Sequence, residues 1–154
     1  PVLIEGYQTK FLLYTVPGQV VYNATRELVL RGVDGLVFVA DSDPDRWDAN
    51  MEAWQNLLQT LQNNGRDLSE IPLVFQYNKR DLPNAVPLAE LERQLNPHGF
   101  PAFEAAAPAG KGVLETLEVL SSEVLRRFHL RREEEAREVS TRHGQPITEA
   151  SASW

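Results

Sequence analysis

Apolar and polar positions fall into blocks along the chain, and the period of each block predicts an element. Val2-Leu3-Ile4 is a short apolar run closed by the turn-like pair Glu5-Gly6. Tyr7 to Tyr14 is rich in aromatic and aliphatic residues and predicts a strand, so the two runs together predict a hairpin. Thr15-Val16-Pro17-Gly18 breaks that strand with turn residues. Asn23 to Arg31 has helical spacing, and Gly32 follows at the position of a C-cap. Gly35 to Ala40 is a continuous apolar run of the kind that suits a strand buried on both faces. Met51, Trp54, Leu57, Leu58 and Leu61 recur at helical spacing, and Asn63-Asn64-Gly65 stops that helix. Ile71 to Phe75 predicts a second buried strand, Pro87 to Leu95 a helix opened by proline, and Pro101 to Phe103 a short last strand. After Gly112 a long amphipathic helix carries Val113, Leu114, Leu117, Leu120, Val124, Leu125 and Phe128 on one face. The stripe ends by about Arg137, and Ser140 to Trp154 is polar and without period. The expected organisation is one domain over residues 1–138 and a disordered tail over 139–154.

A hairpin followed by alternating strands and helices predicts an α/β fold: a mostly parallel central sheet with an antiparallel edge hairpin and helices on both faces. Ligands of such sheets bind beyond the carboxyl ends of the strands. The loops after Tyr14, Ala40, Tyr77 and Phe103 therefore form the candidate active edge.

Composition narrows the picture. The chain has 154 residues, 42% hydrophobic and 24% charged, which is the range of one globular domain. A net charge of −7 without a basic patch argues against nucleic acid or an anionic membrane as partner. No apolar run approaches the roughly 20 residues of a membrane span, and no C-terminal cysteine offers a prenyl anchor. Cysteine is absent altogether, which excludes disulfides and thiolate chemistry and fits a reducing, cytoplasmic setting. The chain opens at Pro1 inside an apolar run, so an upstream portion is expected.

Three of the edge loops carry chemistry. Asn78-Lys79-Arg80-Asp81 follows a buried strand. A fixed Asp81 carboxylate can accept hydrogen bonds from the N1–H and exocyclic amine of a 6-oxopurine at once, and such a site rejects adenine. Asn78 is suited to tying loops together and reaching the other ring edge, while the Lys79 stem can cover the base face with its ammonium in water. The same tetrapeptide also suits a plain polar turn, and alone it does not choose. Glu104-Ala105-Ala106-Ala107 ends the next strand with small residues that let backbone N–H groups approach a ligand. In Thr15-Val16-Pro17-Gly18-Gln19, Gly18 allows a backbone N–H to reach a terminal phosphate, and Gln19 can orient an attacking water.

Together these loops resemble the Ras-like small GTPases. Thr15 to Gln19 stands where that family has Asp-x-x-Gly-Gln, Asn78 to Asp81 matches Asn-Lys-x-Asp, and Glu104 to Ala107 is similar to Glu-x-Ser-Ala. Leu13 to Gln19, Leu30 to Gly35 and Asn78 to Pro83 resemble the bacterial MglA subgroup of gliding and polarity GTPases. The resemblance implies a Ras-like P-loop GTPase fold, here without its first strand and helix, and a cytoplasmic switch that binds GTP and hydrolyses it to GDP. It places Asn78, Lys79, Asp81 and the Ala106 and Ala107 backbone on guanine, and Gly18 and Gln19 in catalysis. It makes Thr15 a weak outer-shell contributor to Mg²⁺, because it replaces the usual Asp. It makes Val16 to about Arg26 switch II, with a roadblock-fold, MglB-like regulator acting on that face. The phosphate loop Gly-x-x-x-x-Gly-Lys-[Ser/Thr] and the Mg²⁺-binding switch I are absent from these residues. A competing reading therefore stands: a nucleotide-free relative that keeps the fold as a protein-interaction module.

Other signals count for less. Asp41, Asp43, Asp45 and Glu52 have part of a calcium-loop spacing, but Arg46 stands at the required glycine. Asp41 also suits the outer shell of the expected magnesium. As the phosphoacceptor of a receiver-like domain it would explain neither Asn78 to Asp81 nor Gln19. His98, His129 and His143 are scattered and form no ligand cluster.

Overall fold

A computed structural model of the chain describes residues 2–4, 7–16 and 23–143, with side chains described for 10–16 and 26–138. In chain order the elements are β1 (Val2–Ile4), β2 (Tyr7–Thr9), α1 (Asn23–Arg31), β3 (Leu36–Asp41), α2 (Trp47–Asn63), β4 (Leu73–Asn78), α3 (Leu88–Leu95), β5 (Ala102–Glu104) and α4 (Val113–His143). Strands β3, β4 and β5 form a parallel sheet in the order β3-β4-β5, with Phe38 opposite Phe75 and Gln76 opposite Phe103.

The sheet sorts its side chains by the two-residue period of a strand. Phe38, Ala40, Leu73, Phe75 and Tyr77 enter one core with Trp54, Leu57 and Leu61 of α2 and Leu91 and Leu95 of α3. Phe38, Trp54 and Phe75 meet edge-on or tilted, with ring centroids 5.1 to 5.5 Å apart, so Trp54 is a core residue as its helical spacing implies. Helix α4 packs on β3, β4 and β5, close enough that a Cβ on Gly35 would lie 2.6 Å from Val124.

The antiparallel edge hairpin expected of the central sheet is a correction. β1 and β2 do pair antiparallel, Val2 with Thr9, but as a separate two-stranded ribbon that bonds to none of β3, β4 or β5. The strand expected over Tyr7 to Tyr14 ends at Thr9, and residues 10–16 are irregular. Without a ladder partner that stretch gains nothing from its β-forming residues: Leu12, Leu13 and Tyr14 are exposed, as is Val39 on β3. Between them runs a broad apolar groove lined by Phe11, Leu13, Val39, Leu117, Val124 and Phe128.

Helix ends follow local chemistry. Gly65 (φ 66°) closes α2 in a Schellman motif, Arg66 N–H bonding the Leu61 carbonyl and Gly65 N–H that of Gln62, both at 2.9 Å. Gly32 is not left-handed. The Arg66 guanidinium instead bonds the carbonyls of Val33 (2.8 Å) and Arg31 (3.4 Å) beyond the end of α1. Helix α4 continues to His143, so the expected boundary at 138 falls inside it. Within it Arg126 pairs with Glu123 at 2.8 Å, and beyond the packed stripe the helix is rich in Arg and Glu. The rest of the expected tail, 144–154, lies outside the described residues. Among the described residues no helix is long and apolar enough to cross a membrane.

Tyr77 is fully buried, and its phenol finds no hydrogen-bond partner among the described residues. Burial, and then the nearby Glu92 carboxylate, push its ionisation well above the ordinary value of 10.0. The folded state thus holds this proton more tightly than the unfolded chain, so stability falls as pH rises above about 10. Tyr77→Phe is expected to change stability at pH 7.5 by no more than about 1 kcal/mol. It should also flatten the fall in melting temperature between pH 9 and pH 11, measured by circular dichroism. An equal alkaline fall in the variant would show that Tyr77 does not carry it.

Candidate functional site

Parallel strands that end in register bring their following loops together. Asp41 at the end of β3 lies opposite Asn78 at the end of β4, and Tyr77 lies opposite Glu104 of β5. Backbone hydrogen bonds then lace the three loops. Ser42 N–H donates to the Asn78 carbonyl at 2.9 Å, Val86 N–H to that of Ser42 at 2.8 Å, Ala105 N–H to that of Tyr77 at 2.7 Å, and Arg80 N–H to that of Ala105 at 3.0 Å.

Side chains add to the lacing. The Asn78 Oδ1 accepts the Ala107 N–H at 3.0 Å, which is the loop-tying role that its position suggested. Ala106 N–H donates to the Lys111 carbonyl at 3.0 Å, and Lys111 N–H returns a bond to the Ala106 carbonyl at 3.3 Å. The Ala106 amide is therefore engaged in holding the loop shut, and that of Ala107 rests on a side-chain amide. Arg80 reaches back through Nε to Glu104 Oε2 at 2.9 Å and through a terminal nitrogen to the Val86 carbonyl at 2.5 Å. With one charge it ties the loops after β4 and β5 to the start of α3.

Against this rigid frame, Asp81 is exposed and its carboxylate has no partner among the described residues. Lys79 sits at φ 62°, a left-handed conformation that is uncommon for a residue with a Cβ. Its ammonium is not in water alone, as expected, but pairs with Asp41 Oδ2 at 2.6 Å.

The structure thus brings Asn78, Lys79, Asp81, Ala106 and Ala107 to one edge. Thr15 lies on the exposed stretch along the groove and shares no hydrogen bond with them. Gly18 and Gln19 lie outside the described residues. The described residues do not fit a magnesium site: no three His, Asp or Glu side chains gather, and Asp41, the suggested outer-shell carboxylate, is engaged by Lys79. Asp43 and Asp45 do not converge with it as calcium ligands. Asp43 N–H donates to Asp41 Oδ1 at 3.0 Å and Asp45 N–H to Asp43 Oδ1 at 3.1 Å, capping the 3-10 turn Pro44–Arg46 that leads into α2.

Sequence reasoning missed Arg80 and Asn50. Arg80 occupies the variable position of its tetrapeptide, and nothing local marks it. Asn50 is buried on the first turn of α2 and grips Asp41 by its backbone, accepting the N–H at 3.0 Å and donating to the carbonyl at 2.8 Å. A polar residue among the apolar positions of that helix was the available signal.

Comparison with known proteins identifies the family. The ADP-ribosylation factor family model matches residues 3–124. Over 122 residues the chain is 54% identical to the mutual gliding-motility protein MglA of Myxococcus xanthus, covering 79% of this chain and 63% of that protein. It is 34% identical over 104 residues to human ADP-ribosylation factor-like protein 4C, covering 63% of this chain and 52% of that protein. The chain thus spans between half and two thirds of the length of these relatives. Its loops, its sheet and these matches place the chain in the ADP-ribosylation factor family of Ras-like small GTPases.

Proposed function

We propose that this chain is the base-reading part of an MglA-like switch that binds GTP and hydrolyses it to GDP and phosphate. The observation that carries the reading is the unpartnered, exposed Asp81 on a loop otherwise pinned at every neighbour. A carboxylate held so is ready to accept two donors from a guanine edge. The Lys79 stem covers one face of the base. Asn78 keeps the loops at fixed distance, and the Ala107 N–H is the donor a base oxygen can share. The loop closed by Ala106 holds that donor in place.

Catalysis belongs to Gly18 and Gln19, the first sensing the γ-phosphate by its N–H and the second orienting water. Mg²⁺, if the full-length protein binds it, would take its ligands from outside the described residues, with Thr15 contributing at most to its outer shell. The phosphate loop is not within these 154 residues, so the reading requires it from sequence outside them. The MglA likeness supports a cytoplasmic role in polarity or gliding motility, with a roadblock-fold, MglB-like regulator on the face from Val16 to Arg26.

The test is release of nucleotide from the full-length protein. Denaturation of freshly purified protein followed by ion-exchange chromatography is expected to yield GDP or GTP near one equivalent. Nucleotide-free protein that also fails to bind fluorescent GDP would overturn the reading in favour of an interaction module.

A further inference from the structure

Lys79 and Asp41 come from different loops, yet their charged atoms are 2.6 Å apart. The Asp41 side chain is only 24% exposed against 47% for Lys79, so the carboxylate is the fixed partner. It is fixed twice over. Its other oxygen, Oδ1, accepts the Asp43 N–H, and its own backbone is gripped on both polar groups by the buried Asn50 of α2. The Lys79 backbone, at φ 62°, turns its side chain away from the path a regular strand continuation would take.

We propose that Asp41 is a positioning residue for nucleotide recognition. By holding the Lys79 ammonium it stretches the methylene stem into a preformed platform for one face of the base, with Asn50 as its anchor in α2. This rests on the reading of the Asn78 to Asp81 loop as a guanine site. An unpaired lysine would sample many rotamers and lose that freedom on binding. The pair is partly solvated, so its effect is modest and depends on salt.

The experiment measures release of fluorescent GDP from the full-length protein by stopped flow. Asp41→Asn keeps the Oδ1 acceptor for Asp43 and leaves the Asn50 contacts to the backbone intact. It should speed release about three- to tenfold with an unchanged melting temperature. Lys79→Met keeps the stem without the charge and should speed release equally, so the proposal stays testable even where Asp41→Asn folds poorly. The double variant should be no faster than either single one. Wild-type release should quicken as KCl rises from 50 to 500 mM, and the variants should not follow. The ratio of GDP to IDP affinity should stay fixed, because the platform does not read the 2-amino group. Wild-type release rates in both single variants, or multiplying effects in the double, would overturn the proposal while leaving the guanine reading intact. If Asp81→Asn in the same assay also leaves GDP binding unchanged, the guanine reading itself fails, and the positioning role fails with it.

Discussion

Asp81→Asn in the full-length protein is expected to weaken GDP binding by roughly 10²- to 10³-fold and to turn preference toward XDP. A carboxylate facing guanine accepts from N1–H and from the 2-amino group. Each such charge-assisted bond contributes about 1.5–3 kcal/mol, and every 1.4 kcal/mol is a factor of ten in affinity. The amide replaces one acceptor by a donor, which opposes the 2-amino group of guanine and matches the 2-oxo group of xanthine. The variant should fold normally, since Asp81 is exposed and its carboxylate bonds to nothing among the described residues. Competition of GDP and XDP against a fluorescent nucleotide measures the change. Unaltered GDP affinity with no gain for XDP would remove Asp81 from base recognition.

How much of the fold and the site is legible in the sequence depends on the range of the interaction. The strands β3 and β4 and the helices α2 and α3 are set by the local apolar pattern and stand within a few residues of where that pattern puts them, but Val39 leaves one face of β3 exposed where its apolar run predicts burial on both. Residues 10–14 have the composition of a strand, but a strand needs a neighbour, and composition says nothing about whether one is beside it. The end of α1 differs from its local signal for a related reason. Gly32 suffices locally as a cap, yet the carbonyls at that end are taken by Arg66, more than thirty residues later in the chain. At the site, Asn78, Lys79 and Asp81 stand out because they form a polar turn directly after a buried strand, although that tetrapeptide alone suits a plain turn as well as a purine edge. The Asp41 pairing does not, because it depends on the parallel register of β3 and β4, which sets Asp41 opposite Asn78. Asn50 works through backbone groups, which any sequence supplies, and Arg80 through the Val86 carbonyl and a Glu104 carboxylate twenty-four residues away.

The largest effect on stability is expected from Gly112→Ala. Gly112 is buried at φ 76°, between the loop after β5 and the first turn of α4. A Cβ there would lie 2.1 Å from the Glu104 carbonyl oxygen and 2.9 Å from the Ala105 Cα. Both are backbone atoms of a loop held by bonds to Tyr77 and Lys111, so neither can swing aside as a side-chain tip does. The Gly112 carbonyl also accepts the Thr116 hydroxyl at 2.6 Å, which fixes the helix start from the other side. Left-handed strain alone costs about 1–2 kcal/mol for a residue with a Cβ. The clash should take the total to about 3 kcal/mol or more. For a protein of 150–250 residues that is a fall in melting temperature of roughly 6–12 °C. Gly110→Ala is the matched control. Gly110 has a similar φ of 69°, but a Cβ there would meet nothing within 4 Å, so only the strain should register. Gly112→Ala should also quicken GDP release, because the loop it pushes carries Ala106 and Ala107, whereas Gly110→Ala should leave release near the wild-type rate. Equal melting temperatures for the two variants would mean that the loop after β5 yields freely. In that case the rigidity argued for the base-reading edge would be lost with it.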